Sequence, residues 1–203
     1  MPPQILSAPF KFCLLRGLTV GGREGCLWSS FGIGLLVAFW GLLRPCELAG
    51  LLRGCIKVPS DWSGQHAASD NFIALFSLIM QKHWKFCGRQ QVSHISHEMT
   101  VRWLQWLCEG VDSTMRMFQD LRQQRRMLKI ALRALGLDGV GLTMGSFRPG
   151  GASQLFSESR NVPAIQFLGR WRNLASLNHY IQGSMAAMVM FIVLPHAQIQ
   201  IET

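Results

Sequence analysis

The sequence is poor in acid and almost devoid of phenol. Its 203 residues include eleven Asp and Glu, and a single Tyr at position 180. No cluster of carboxylates is spaced to hold two metals for nuclease chemistry, and no G-x-x-x-x-G-K-[ST] loop is present to cradle a nucleoside triphosphate. The six cysteines (Cys13, Cys26, Cys46, Cys55, Cys87, Cys108) contain no C-x-x-C pair, and no cleavable signal peptide is apparent. They read as reduced intracellular thiols. His94 and His97, with Cys87 nearby, lack a proper second ligand pair for zinc, so neither metal nor cofactor is expected. Long apolar runs are missing too. Phe31 to Leu43 and Met185 to Leu194 would measure about 20 Å and 15 Å as helices, against roughly 30 Å for a bilayer core. Both read as buried core helices, and no membrane partner is expected. There are no internal repeats and no low-complexity tract.

What is present is apolar and basic. Hydrophobic residues make up 49% of the chain, with twelve Phe and seven Trp, which excludes a disordered polybasic tail and implies one compact domain with a real core. Twenty Lys and Arg give a formal charge of +9. Fifteen of the twenty are Arg, whose planar fork grips phosphate oxygens in pairs. Polyanions are therefore the first partners to consider.

Along the chain, residues 1 to about 28 show no sustained period and carry Pro and Gly in clusters, so an irregular lead-in or remnant is expected. A buried helix follows from Phe31, and Pro45 opens another, PCELAGLLRG. CIKVPSDW suggests a short strand stopped by Pro59, and the strand-like apolar run at 71–80 with a partner in QQVSHIS makes a hairpin joined by QKHWKFCGR. Helical spacing returns from Ser96 to Gly110 and from about Thr114 to Leu135. The second of these carries Arg122, Arg126, Lys129 and Arg133 on one face, either a solvated surface or a stripe that tracks phosphates. Three short helices close the pattern: one capped by Ser146, one from Val162 to Leu168, and one capped by Asn173. The apolar segment SMAAMVMFIVL comes after them.

One spaced set of residues carries chemistry: Arg44 and Glu47 in RPCEL, Arg148 in SFRPGGA, Trp171 in LGRW and Tyr180 in LNHYIQ, the last three separated by 23 and 9 residues. In order and spacing the set resembles the catalytic domain of the tyrosine recombinase (phage-integrase-like) family. The resemblance extends over about residues 30 to 195, most strongly from Ser146 to Gln182, and suggests a mobile-element origin. It implies a mainly α domain with a small antiparallel β-sheet over 29–195, followed by a short tail at 196–203. The short lead-in would leave no room for the N-terminal DNA-binding domain such enzymes usually carry, making the chain a fragment, a decayed copy or a catalytic half needing a partner.

The resemblance also assigns roles. Tyr180 is the nucleophile that forms a 3'-phosphotyrosine bond. Arg44 and Arg148 clamp the scissile phosphate, Trp171 donates its indole N–H and packs the site, and Glu47 orients Arg44 or a neighbouring base. A lysine on the hairpin serves as general acid, here Lys82 with Lys85 as runner-up. Physical chemistry asks for the same parts: a free phenol is only about 0.1% ionised at pH 7, and a pentavalent phosphorane needs positive donors. Arg170 and Arg172, flanking Trp171, join Arg122, Arg126, Lys129 and Arg133 as candidates for contact with double-stranded DNA. One position departs from the family: Gly145 stands where a histidine is usual, three residues before Arg148. The site would then be slow, recruit another group (His94 or His97; His179 should point away from Tyr180), or be dead. Site-specific recombination or integration is the expected function, with a homo-oligomer on DNA. An inert DNA-binding relic is the alternative, and a small membrane-associated protein a third reading. The expected location is intracellular: nuclear in a eukaryote, cytoplasm or nucleoid in a prokaryote.

Overall fold

Residues 3–40 form a helical hairpin in place of the expected irregular lead-in. In the computed structural model, which describes residues 3–62, 72–78 and 91–181, α1 (Pro3–Val20) and α2 (Gly22–Trp40) meet at a turn made by Gly21 and Gly22, with φ of 66° and 55°. The glycines that break the sequence pattern serve the packing. A Cβ on Gly25 would collide with the Gly17 carbonyl oxygen, and one on Gly32 would stand 2.9 Å from the Cys13 Cβ. The two backbones therefore approach closely, and α1 buries Leu6, Phe10 and Cys13 against the core. Tertiary packing has overridden weak local propensity, as is usual for helices.

The centre of the molecule is α2. From Trp28 to Phe39 it is buried on every side, so its all-round apolar sequence marks a central helix. Around it pack α4 (Glu98–Cys108), α5 (Leu121–Ala134) and α6 (Phe147–Ser159). Contact with α6 is tight, since a Cβ on Gly151 would overlap the Phe39 carbonyl oxygen. A polar tie precedes α5, where Gln119 Nε2 donates to the Leu27 carbonyl (2.9 Å) and to Ser30 Oγ (2.7 Å). Buried polar groups need such partners.

After α2 the chain turns through Leu42, held at φ 50°, and Pro45 opens the short α3 (Pro45–Gly50) as its sequence suggests. The strands β1 (Ile56–Lys57), β2 (Ala74–Leu78) and β3 (Gln91–Ile95) form one antiparallel sheet in that order, with Ile56 opposite Phe76 and Phe76 opposite Ser93. Its inner face presents Ile56, Ala74, Phe76, Leu78 and Ile95 to the core, and Ser93 Oγ donates to the Gly41 carbonyl at 2.8 Å. Arg53 braces the approach to β1. It pairs with Asp61 at 2.6 and 3.2 Å and donates to the Cys108 carbonyl at 3.1 Å. The expected connection between β2 and β3, with Lys82 and Lys85, lies outside the described residues, as do the apolar segment after Gly183, the boundary at 195 and the tail 196–203.

The helix expected from about Thr114 begins at Leu121 instead. Asp120 is its N-cap, accepting from the Gln123 amide at 2.8 Å, while the preceding segment runs along the α3 exit: Met117 N donates to the Leu51 carbonyl and Arg53 N to the Met115 carbonyl. Ser146 also differs from expectation. Its hydroxyl accepts from the Thr143 amide at 3.1 Å and makes no cap bond to α6. The helix expected from Val162 is present as α7 (Val162–Gly169), capped by Asn161, whose Oδ1 accepts from the Ala164 amide at 3.1 Å. The last described helix, α8 (174–181), is preceded by Asn173, whose Oδ1 accepts from the Ala175 amide at 2.8 Å. A second apolar cluster of Leu42, Ala152, Ile165, Leu177 and Ile181 fastens α6, α7 and α8 to the end of α2. Among the described residues no helix is long and apolar enough to cross a membrane.

Candidate active site

The second cluster sets the orientation of α8. Leu177 and Ile181 point inward, and the Tyr180 carbonyl accepts from Ser153 Oγ on α6 at 3.3 Å. Tyr180 lies on the outer side of this seam, 38% exposed, with its ring centroid 6.3 Å from that of Trp171. Trp171 follows α7, and its ring folds back over Gly169, where a Cβ would overlap Trp171 Cζ3. Only glycine leaves that space.

Arg148, in the first turn of α6, is 7% exposed. Its guanidinium lies 4.4 Å from the Trp171 ring centroid, a cation–π contact, and its Nη2 donates to the Gly169 carbonyl. Its Nε is buried with no hydrogen-bond partner among the described residues. Burial, with the Arg44 cation next in weight, pushes Arg148 down to about 9, which still leaves it protonated at neutral pH.

Arg44 caps α3, and Glu47 three residues on returns to it. Glu47 Oε2 accepts from the Arg44 amide at 2.8 Å and Oε1 from Arg44 Nη1 at 2.5 Å. The same carboxylate, 1% exposed, takes Arg170 Nη2 on Oε2 at 2.8 Å. Burial alone would raise the Glu47 carboxyl; Arg170, the Arg44 amide and the Arg44 and Arg148 cations together outweigh it and hold Glu47 below the usual carboxylate value. Three cations thus surround one carboxylate, leaving two positive charges in a largely desolvated corner beside the phenol. That electrostatic excess suits an oxyanion.

The structure therefore brings Arg44, Glu47, Arg148, Trp171 and Tyr180 into one neighbourhood, although 136 positions separate the first from the last. Arg170 corrects an expectation. Expected on an exposed basic surface, it is buried and paired with Glu47, at a left-handed turn (φ 57°) that closes α7. No sequence signal links it to Glu47, 123 residues earlier. Arg172 is exposed, and Arg122, Arg126, Lys129 and Arg133 lie together on the exposed face of α5.

Gly145 sits in a short 3-10 turn before α6 and lines a cleft of about 570 Å³ with Pro45, Arg125, Lys129 and Met144. The three histidines considered for its role are placed differently. His97 is the N-cap of α4, accepting from the Thr100 amide at 3.4 Å, and stacks on Trp40 at 4.2 Å. Burial pushes its imidazole below the ordinary value. His94, on β3, lines a separate cleft with His97 and Glu158. His179 does not turn away as expected: its ring meets that of Tyr180 edge-on, centroids 6.0 Å apart. Among the described residues no group of three or more His, Cys, Asp or Glu is placed to hold a metal.

The fold is that of tyrosine recombinase catalytic domains, mainly helical with a small three-stranded antiparallel sheet. One similar solved structure is a XerH site-specific recombinase bound to difH substrate in a pre-cleavage complex (TM-score 0.63, 9% identity, over 89% of this chain and 49% of that one). Another is XerH bound to palindromic difH in a post-cleavage complex (TM-score 0.65, 8% identity, over 97% and 53%). The chain spans about half the length of these structures. No protein-family model and no curated protein matches it in sequence.

Proposed function

We propose that this protein cleaves and rejoins DNA strands at specific sites through a covalent bond between Tyr180 and a 3'-phosphate. The Tyr180 phenol gives up its proton as its oxygen attacks phosphorus, the phosphorus bond to the 5'-oxygen breaks, and the leaving 5'-oxygen takes up a proton to become a hydroxyl; attack by another 5'-hydroxyl, with the phenol regaining a proton, rejoins the strand. The observation that carries this reading is the two-charge excess of Arg44, Arg148 and Arg170 over Glu47, set beside the chain's one phenol. A phosphate entering that corner neutralises charges that burial disfavours, and the phosphorane, with more negative charge, gains more. By comparison with oxyanion donors elsewhere, each clamp arginine contributes about 3 kcal/mol.

Lys82, with Lys85 behind it, remains the proposed general acid. The α5 stripe and Arg172 are the proposed contacts to the DNA backbone, and synapsis on DNA is proposed to involve a second copy of the chain. A mobile-element origin and an intracellular location, wherever the host keeps its DNA, belong to the same proposal. A second reading, an inert DNA-binding relic, is favoured by one observation: Gly145 presents no side chain where the family has an acid–base residue. A pool of nicked duplexes of randomised sequence, in which cleavage releases a short strand that cannot return, separates the two. Strand cleavage traps a protein–DNA adduct that Tyr180→Phe abolishes, whereas the relic binds DNA and traps nothing.

A further inference from the structure

Arg170 is held by more partners than any other guanidinium in the site. Nη2 donates to Glu47 Oε2 at 2.8 Å and to the Leu42 carbonyl at 3.1 Å, and Nη1 donates to the Leu168 carbonyl at 3.1 Å. Its side chain is 7% exposed. Both backbones joined by the Leu42 bond are left-handed, φ 50° at Leu42 and 57° at Arg170. Non-glycine residues keep such conformations only where their surroundings over-determine them. Leu42 stands two residues before Arg44, and Arg170 directly precedes Trp171, so this one guanidinium joins the two turns that carry the site.

The carboxylate between them has little freedom. Glu47 Oε1 takes Arg44 Nη1 while Oε2 takes the Arg44 amide and Arg170 Nη2. Without Arg170, Oε2 would keep only the amide, and the plane of the carboxylate, which sets the direction of the Arg44 fork, would be free to turn. Arg148 is tied independently to the other side of the junction, through the Gly169 carbonyl and the Trp171 ring.

We propose that Arg170 is a positioning residue: through Glu47 it aims Arg44, and through Leu42 and Leu168 it holds the Arg44 turn against the Arg148–Trp171 pair, so that both clamp arginines meet one phosphate in a fixed geometry. Its effect on rate rests on the strand-cleavage reading; the coupling of Arg170 to Arg44 does not. A residue that merely tracked the DNA backbone would act on affinity and on its salt dependence, whereas a positioning residue acts on the rate of the bound complex.

The test uses the full chain with Arg170→Lys and Arg170→Ala, checked for folding by thermal melting. Lysine keeps the charge but replaces a fork that reaches three acceptors with one ammonium. On the nicked pool at saturating protein, adduct formation should fall about 100-fold in Arg170→Ala and about tenfold in Arg170→Lys, with duplex affinity changed less than about twofold. In a Glu47→Gln background Arg170→Lys should cost less than it does alone, the remainder coming from its bonds to the Leu42 and Leu168 carbonyls. Where Arg170→Ala fails to fold, Arg170→Lys carries the test. An unchanged single-turnover rate, or a rate preserved while affinity and its salt slope drop, would overturn the proposal. Should the wild type trap no adduct, the cleavage reading fails, and the coupling is read in free protein from the Arg44 Nε–Hε NMR resonance. A shift of that resonance in Arg170→Lys sustains the positioning role, and an unmoved resonance refutes it.

Discussion

Arg148 lies beneath the ring of Trp171, its guanidinium carbon 4.4 Å from the ring centroid, while donating to the Gly169 carbonyl two residues before that ring. The contact explains how a buried cation is kept without a carboxylate of its own. An aromatic face and a carbonyl stabilise the charge only in part, so the cation retains its attraction for an incoming anion. Trp171 in turn reaches Tyr180, so Arg148 and the phenol share one aromatic wall.

Glu47 should make stability depend on acid. Its carboxyl is held below the ordinary 4.5, so the stabilisation is fully present above that value and is lost as pH falls through the lower folded value. Glu47→Gln removes this dependence. It also costs about 3–5 kcal/mol at pH 7, because Arg44 and Arg170 lose their buried partner. Denaturant melts of both proteins from pH 7 to pH 3 measure the two effects, with the curves converging at the acid end.

Local chemistry makes parts of this structure legible. Proline after Arg44 and asparagine before Val162 and before Leu174 are helix-start signals that depend on near neighbours only, and each marks a real start. The hairpin strands follow from a short apolar run and a partner segment downstream, which the sheet register pairs. The first helix is not legible, because its glycines make sense only against the facing helix: Gly17 and Gly25 let two backbones touch. Asp120 is a readable cap for α5 that the longer apolar stripe obscures. Arg170 misleads because R-W-R looks like a basic surface, while burial of its first arginine depends on a carboxylate 123 residues away.

Gly145 should accept a larger residue. A Cβ there meets only Thr143 Oγ1, at 3.4 Å, which is ordinary contact. Gly145→His is therefore expected to keep its melting temperature within a few degrees of the wild type. By placing an acid–base group three residues before Arg148, it should raise the single-turnover cleavage rate of the proposed reaction about 100-fold. Parallel melting and adduct time courses check both halves.

The α5 face should govern salt dependence without governing chemistry. Arg126 and Lys129 are exposed on α5 alongside Arg122 and Arg133. Arg126→Ala with Lys129→Ala should lower the slope of log affinity against log salt by about 0.9 for each phosphate that is no longer neutralised, or about 2 for the pair. Fluorescence anisotropy on a duplex at several salt concentrations reads the slope, and the rate of the bound complex should stay constant.

The central claim is that the one phenol of the chain becomes bonded to DNA. Protein incubated with the nicked pool, digested with nuclease and protease and then analysed by mass spectrometry should yield one modified peptide, with a nucleotide phosphate on Tyr180 and none in Tyr180→Phe. An adduct on any other residue, or DNA binding with no modified peptide in either protein, would contradict it.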